Sequence, residues 1–238
     1  MSLLMTQPQR LRDAILDSPG LVAYYRFGDV SGTVAKDETG INDGTYTGSP
    51  TLGVTGMVNG DPNTAMSTTS VSGQYVTVPN AVRDVLNGTA WSFMVNTIMR
   101  TNTTHGLFTG PKGGVSARCF GSRFNGNAPG TNSTLVGWAE ENVAVISGAF
   151  MTVPLNERHI LVNTYGATTL TGYVDGVLNL AGPISYTWTA NFTGTMTISS
   201  STSGADGSED AIIDEFAIWN RRLSQLEAAR FSQLVRGN

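Results

Sequence analysis

The sequence predicts an all-β protein, a two-sheet antiparallel jelly-roll sandwich with a short helix at each end. The chain of 238 residues carries 28 glycines, and only 13% of its residues are charged, against roughly 25% in an average soluble domain. This composition is typical of short strands joined by tight turns. Apolar runs separated by turn residues recur along the chain without a fixed-period repeat or a change of composition. We therefore expect one sandwich domain, since all-β domains often reach this length undivided.

Residues 1–20 are predicted to form an N-terminal arm that contains a helix. Leu11, Ala14 and Ile15 recur at helical spacing, so they would lie on one face of the helix. The Ser18-Pro19-Gly20 sequence ends the pattern, because proline and glycine both interrupt helices.

Residues 21–238 are expected to form the sandwich. Residues 91–99 alternate large apolar side chains and predict a long, mostly buried strand, whereas residues 100–137 are rich in turn residues and are predicted to be rich in loops. Asp175-Gly176, at the centre of residues 170–180, predicts a hairpin with a type I′ turn, since both turn residues must accept positive φ. The other main strands are predicted at residues 21–27, 74–78, 143–147, 160–165, 195–199 and 211–219.

The chain is predicted to end in a second helix. Ser224 and Glu227 have the spacing of a capping box, in which the serine side chain accepts the N–H of the glutamate and the glutamate carboxylate reaches back. Leu226, Ala229 and Leu234 are then expected to bury one face of that helix.

Charge and cysteine content exclude several classes of protein. The net charge of −4 leaves no broad basic field, so we expect no nucleic-acid partner. No apolar run approaches the roughly 20 residues of a membrane span, and Arg10 and Arg12 come too early for a signal peptide. We therefore expect no membrane partner and synthesis in a cytoplasm. Cys119 is the only cysteine, which rules out an internal disulfide.

Three stretches of the sequence together carry the pattern of a known family. The first is Leu21-Val22-Ala23-Tyr24-Tyr25-Arg26-Phe27 with the Gly/Asn/Asp-rich loop that follows it. The second is the hairpin around Asp175-Gly176. The third is residues 213–224 with Glu227 after them. These stretches resemble the laminin-G-like branch of the concanavalin A-like lectin/glucanase superfamily, of the kind seen in bacteriophage virion proteins, and the third matches the family's last strand and helical end most specifically. Residues 100–137 match no part of the family pattern.

Asp214 is the first candidate for a metal ligand. Strand alternation places it on one face with the apolar Ile212 and Phe216, where an ionised carboxylate needs a partner. One interpretation is that it accepts N–H bonds from a neighbouring loop. The resemblance implies another, a calcium site in which Asp37 and Asp43 of the Gly-rich loop join Asp214.

The residues do not predict an enzyme. In the superfamily that this chain resembles, the hydrolases carry Glu-x-Asp-x-x-Glu or a close variant on one strand, but here Ile212 and Ala217 occupy the positions of the two glutamates around Asp214. His105 and His159 stand apart from any recognisable nucleophile motif. We therefore expect a protein that binds or assembles without catalysis.

Aromatic residues in or beside loops are candidates for glycan or partner contact. Trp138, Tyr186 and Trp188 could stack on sugar rings, although packing in the core or in an interface is the alternative for each.

The first functional hypothesis is a virion surface protein, either a capsid decoration or an outer tail component. It would lie on the virion exterior, bind virion structural proteins and form a homo-oligomer, with residues 2–17 as the attachment arm. Deleting those residues is then expected to abolish attachment and leave the sandwich folded. The alternative is a glycan-binding receptor-binding protein or cell-surface adhesin, because a fold alone does not decide function.

Overall fold

A computed structural model describes residues 7–70, 73–101, 106–111, 119–124, 132–141, 144–166, 169–183, 194–200 and 208–237. The strands are β1 (Leu21–Tyr25), β2 (Val34–Ala35), β3 (Gly44–Thr47), β4 (Thr51–Thr55), β5 (Thr64–Thr68), β6 (Tyr75–Thr77), β7 (Ala90–Met99), β8 (Gly106–Pro111), β9 (Cys119–Phe124), β10 (Asn132–Glu141), β11 (Ala144–Pro154), β12 (Arg158–Gly166), β13 (Thr169–Val174), β14 (Val177–Pro183), β15 (Thr197–Ile198) and β16 (Ala211–Trp219). The helices are α1 (Gln7–Leu16), α2 (Asn80–Arg83) and α3 (Gln225–Arg236), with a 3₁₀ helix at Asp84–Asn87.

The strands form two antiparallel eight-stranded sheets, which confirms the predicted sandwich. The first sheet has the order β14-β13-β12-β7-β16-β5-β4, and β1 pairs with the second half of β16. The second sheet has the order β11-β10-β9-β8-β15-β6-β3-β2. In the part of the chain that the structure describes, no helix is long and apolar enough to cross a membrane.

Aromatic side chains fill the space between the two sheets. Phe93 of β7 stacks on Phe216 of β16 with ring centroids 6.1 Å apart, and Trp91 stacks on Tyr165 at 5.4 Å. All four side chains are buried in one apolar cluster. Such large aromatic groups contribute much of the apolar area that folding removes from water.

The outer face of the first sheet is also covered, by α1 and α3. Leu11 and Ile15 of α1 are buried there with Trp219, which stacks on Phe231 of α3. The described part of the predicted arm therefore belongs to the packed body, and the expectation that removing residues 2–17 leaves the sandwich intact needs correction. Deletion would remove Leu11 and Ile15 and expose to water the apolar side chains that pack against them, which costs stability.

The hairpin between β13 and β14 has the predicted turn. Asp175 has φ 53° and Gly176 has φ 78°, as a type I′ turn requires. The Asp175 carboxylate accepts hydrogen bonds from His159 Nδ1 at 2.9 Å, the Ile160 N–H at 3.0 Å and Arg236 at 2.8 Å. Burial by itself would raise the pKa of Asp175, but these bonds outweigh it and lower the pKa to about 2. The turn thus joins β12 to the end of α3.

Residues 100–137, predicted to be rich in loops, also contain β8, β9 and the start of β10. Their glycines weaken the strand pattern in the sequence, because glycine is depleted in strands. One expectation about α3 is wrong. In α3 the capping box at Ser224 is confirmed, but Leu226 is 82% exposed, and Ala228, Phe231 and Val235 are the buried apolar residues. Contact with Trp219 sets this rotation of the helix.

Candidate functional site

The Asp37 carboxylate organises the Gly-rich loop. Its Oδ1 accepts the N–H of Tyr24 at 2.8 Å and of Thr39 at 3.1 Å, and its Oδ2 accepts the N–H of Asn42 at 2.9 Å and the Thr39 hydroxyl. The Asp37 N–H in turn donates to Asp43 Oδ1 at 2.8 Å. These donors already satisfy the Asp37 carboxylate, because each of its oxygens accepts two hydrogen bonds.

Asp214 does not share a face with Phe216, which corrects the alternation expected for this strand. A bulge at Glu215, whose φ is 66°, shifts the register with β7 between Asp214 and Phe216. Ile213 and Phe216 therefore both enter the core between the sheets. The Asp214 carboxylate accepts the N–H of Met57 at 2.6 Å, so a neighbouring loop supplies its partner.

Glu215 belongs to a buried ionic network. Its carboxylate accepts hydrogen bonds from the Tyr24 hydroxyl and from Arg26 Nε at 3.1 Å, and Arg26 also pairs with Asp61. Burial, together with the neighbouring charge of Asp214, raises the pKa of Glu215 to about 8 despite Arg26. Burial likewise raises the pKa of Asp214 to about 7. The network ties β1 and the 56–63 loop to β16.

The structure does not bring the three predicted calcium ligands together. Asp37 and Asp43 bond within their own loop, whereas Asp214 bonds to Met57. Across the described ranges, no group of three or more His, Cys, Asp or Glu side chains is placed to hold a metal ion. Calcium binding stays a prediction.

The side chains of the three aromatic residues predicted to contact glycans or partners are not among the described ones. Trp138 lies in β10, between Gly121 of β9 and Ser147 of β11, and its side chain lies outside the described ones. Tyr186 and Trp188 lie outside the described residues.

Glu209 is a buried carboxylate that the sequence pattern did not reveal. Its side chain is fully buried, and neither carboxylate oxygen has a hydrogen-bond partner among the described residues. Burial, together with Asp210, raises the pKa of Glu209 well above its usual value. Glu209 lies just before β16 and follows polar residues such as Ser208, so it was not part of any apolar periodicity in the sequence.

A cleft of about 560 Å³ lies between residues 30–33 and the corner that joins the two sheets. That corner, residues 46–50, leads from β3 in the second sheet to β4 in the first, whose Leu52 also lines the cleft. Gly48 and Ser49 turn the chain with φ values of 71° and 56°. Glycine is required at position 48, where a Cβ atom would lie 1.8 Å from the carbonyl oxygen of Gly73.

Hydrogen bonds hold the walls of this cleft together. The Tyr46 N–H donates to the Thr33 carbonyl at 2.8 Å, and the Tyr46 hydroxyl donates to Asp29 Oδ2 at 3.0 Å. The Lys36 N–H donates to the same oxygen at 3.2 Å. In the sequence these residues form part of the Gly/Asn/Asp-rich loop, where no pattern pointed to a cleft.

A second cleft, of about 450 Å³, lies between α1 and α3 and has a different character. Phe231 and Leu234 contribute apolar surface to it. Its other described lining residues include both signs of charge, namely Arg10, Asp13, Asp17, Glu227 and Arg230.

Comparison with known families agrees with the fold. The model of the Laminin_G_3 family, described as concanavalin A-like lectin/glucanases superfamily, matches residues 69–229. The chain belongs to this family. The match takes in β7, the β13–β14 hairpin and β16, and it confirms the family resemblance of the last two. A comparison with curated protein sequences finds no significant match.

Solved structures share this architecture at low sequence identity. A Trypanosoma rangeli sialidase in complex with 2,3-difluorosialic acid is 15% identical with a TM-score of 0.69, and the match covers 98% of this chain. This chain spans only 38% of the sialidase chain. Domain 4 of AbnA, an extracellular arabinanase from Geobacillus stearothermophilus, in complex with arabinotriose, is 17% identical with a TM-score of 0.64. That match covers 90% of this chain and 98% of the domain.

The sequence-based exclusion of enzymes is wrong. Structures of sialidases and of an arabinanase domain match nearly the whole chain, so a missing carboxylate motif does not separate this fold from glycoside hydrolases. At 15–17% identity the likeness shows the fold alone and suggests no particular reaction.

Proposed function

We propose that this domain binds carbohydrate. The observation that carries the proposal is the likeness to domain 4 of the arabinanase, because that match spans an entire domain of similar size whose structure holds arabinotriose. The family, described as concanavalin A-like lectin/glucanases, is consistent with the same role. The proposal concerns saccharide binding and leaves the reaction chemistry of any larger protein aside.

The chemistry of the described surface supports the proposal. Sugars present hydroxyl groups beside apolar C–H faces, and sites that bind them combine hydrogen-bonding groups with apolar surface. The cleft beside residues 30–33 has both, since Ser31, Thr33 and Ser49 lie beside the exposed Val30. The chain is also rich in uncharged polar residues, and only 13% of its residues are charged.

A binding screen tests the proposal. The full chain is titrated with a panel of oligosaccharides that includes arabinotriose, and binding is followed by calorimetry and by backbone amide chemical shifts. We expect saturable binding to at least one saccharide. If the folded protein binds none of the panel at millimolar concentration, the proposal is refuted.

We propose, as the biological setting, the exterior of a bacteriophage virion, where the domain would contact virion structural proteins and cell-surface glycans. The support is the sequence resemblance around Tyr24-Tyr25-Arg26 and the helix that precedes it. Immunogold electron microscopy of lysates from the source would label heads or tails regularly if this setting is right. Label on cell envelopes with bare particles would instead favour an adhesin.

A further inference from the structure

We infer that the cleft between residues 30–33 and residues 46–50 is the saccharide site, and that it takes an uncharged oligosaccharide. This inference rests on the proposed function and adds to it a location and a class of ligand. The cleft of about 560 Å³ falls within the usual range of ligand pockets, roughly 300–1,000 Å³.

The surface of the cleft offers what a sugar ring needs. Ser31, Thr33 and Ser49 are exposed, so their hydroxyl groups can exchange hydrogen bonds with sugar hydroxyls. Val30 is 71% exposed, and Leu52, which also lines the cleft, is half-buried. Covering Val30 with the C–H face of a sugar would remove apolar surface from water, which favours binding.

Hydrogen bonds and two left-handed residues define the shape of the cleft without a ligand. Tyr46, which belongs to one wall, bonds to the segment that forms the other, through its N–H to Thr33 and through its hydroxyl to Asp29. Gly48 and Ser49 hold the corner in left-handed conformations that leave little freedom. A preformed site loses less entropy on binding, which matters for ligands that make few strong contacts.

The charges around the cleft select against acidic saccharides. Among the described residues that line it, none carries a charge. The nearby Asp29 carboxylate is bonded to Tyr46 and to the Lys36 N–H, and its negative sign would repel a sialic or uronic acid. Bringing a ligand carboxylate into such a cleft without a cationic partner is unfavourable. By contrast, the cleft between α1 and α3 is lined in part by the cationic side chains of Arg10 and Arg230.

Two matched substitutions test the location. Val30→Asp places a charge in the cleft, and Val177→Asp makes the same change at the β13–β14 hairpin, where the valine is similarly exposed at 67%. Since both side chains are exposed, both variants should fold, and their melting temperatures are compared with the original. We expect Val30→Asp to weaken binding of an uncharged oligosaccharide by about tenfold or more, and Val177→Asp to leave it unchanged.

Paired probes test the ligand class. The protein is titrated with arabinotriose, maltotriose and lactose as uncharged probes, and with sialyllactose and trigalacturonic acid as acidic probes. We expect binding to an uncharged probe, with amide shifts at residues 30–33 and 46–50. Saccharide binding that Val30→Asp leaves unchanged, or tighter binding of the acidic probes, would overturn the inference while the proposed function stands. Binding of no saccharide would overturn both.

Discussion

Replacing Asp214 with asparagine should make stability less sensitive to pH. The side chain is 1% exposed, and its pKa is raised by burial from 3.8 to about 7, although the Met57 N–H donates to it. The folded protein therefore holds a proton on Asp214 at pH values where the unfolded chain has released it. Because the folded state then binds more protons, the free energy of unfolding falls as pH rises between these two values.

The size of the effect follows from the two pKa values. A difference of about three pH units, at about 1.4 kcal/mol each, lowers the free energy of unfolding by about 4 kcal/mol between about pH 4 and pH 8. For a chain of this length that corresponds to roughly 8–16 °C in melting temperature. Asparagine has the same shape and no charge, so Asp214→Asn removes this loss. It also removes the like charge that helps to raise the pKa of Glu215.

Urea unfolding at about pH 5, 6.5 and 8 measures the effect in both proteins. We expect Asp214→Asn to be more stable by about 1.5 kcal/mol at the lowest pH and by about 4 kcal/mol at the highest, because the loss begins near pH 4. Asp84→Asn is the matched control, because it makes the same change at a carboxylate side chain that is 52% exposed, whereas Asp214 is buried. If the Asp214→Asn profile runs parallel to the original one across the whole range, the reasoning about the buried carboxylate is wrong.

Four further predictions concern stability. Gly176→Ala should destabilise the fold by about 1–3 kcal/mol in urea, because the new Cβ would lie 2.6 Å from the Cα atom of Ala229 at a positive φ. Gly40→Ala is the control, because Gly40 has the same φ of 78° and a Cβ atom there would meet nothing within 4 Å. It therefore measures only the cost of placing alanine at a positive φ, and equal costs at both positions would contradict the clash. Ser224→Ala should cost about 1 kcal/mol through loss of the capping box, and no measurable change would mean that the box is not formed in solution. Glu209→Gln should raise the melting temperature more at about pH 8 than at about pH 5, since it removes a buried carboxylate with a raised pKa; a uniform decrease would instead indicate an ionised, partnered Glu209. If the calcium prediction holds, calcium should raise the melting temperature and EDTA should reverse that rise. A melting temperature that neither calcium nor EDTA changes would refute the calcium prediction.

Local chemistry accounts for the parts of the fold that the sequence predicted well. The capping box of Ser224 and Glu227 and the Asp175-Gly176 turn form between residues at most three apart, so their geometry follows from residue type and spacing. Strand β7 was recognisable because both its faces are buried, so most of its residues are large and apolar. The family resemblance rested on such local stretches and was confirmed over residues 69–229.

The candidate sites depended on contacts between distant segments. The bulge at Glu215 forms against β7, far away in the chain, and it alone decides which face Asp214 occupies. Likewise, the cleft appears only where the corner from one sheet to the other meets residues 30–33. By itself the sequence determined the sandwich class, the hairpin turn and the N-terminal cap of α3, because these depend on short-range bonds and on periodicity. Tertiary structure alone decided which charges are buried, which face of α3 is covered and where the cleft lies, because register and burial depend on which distant strand or helix packs against a residue.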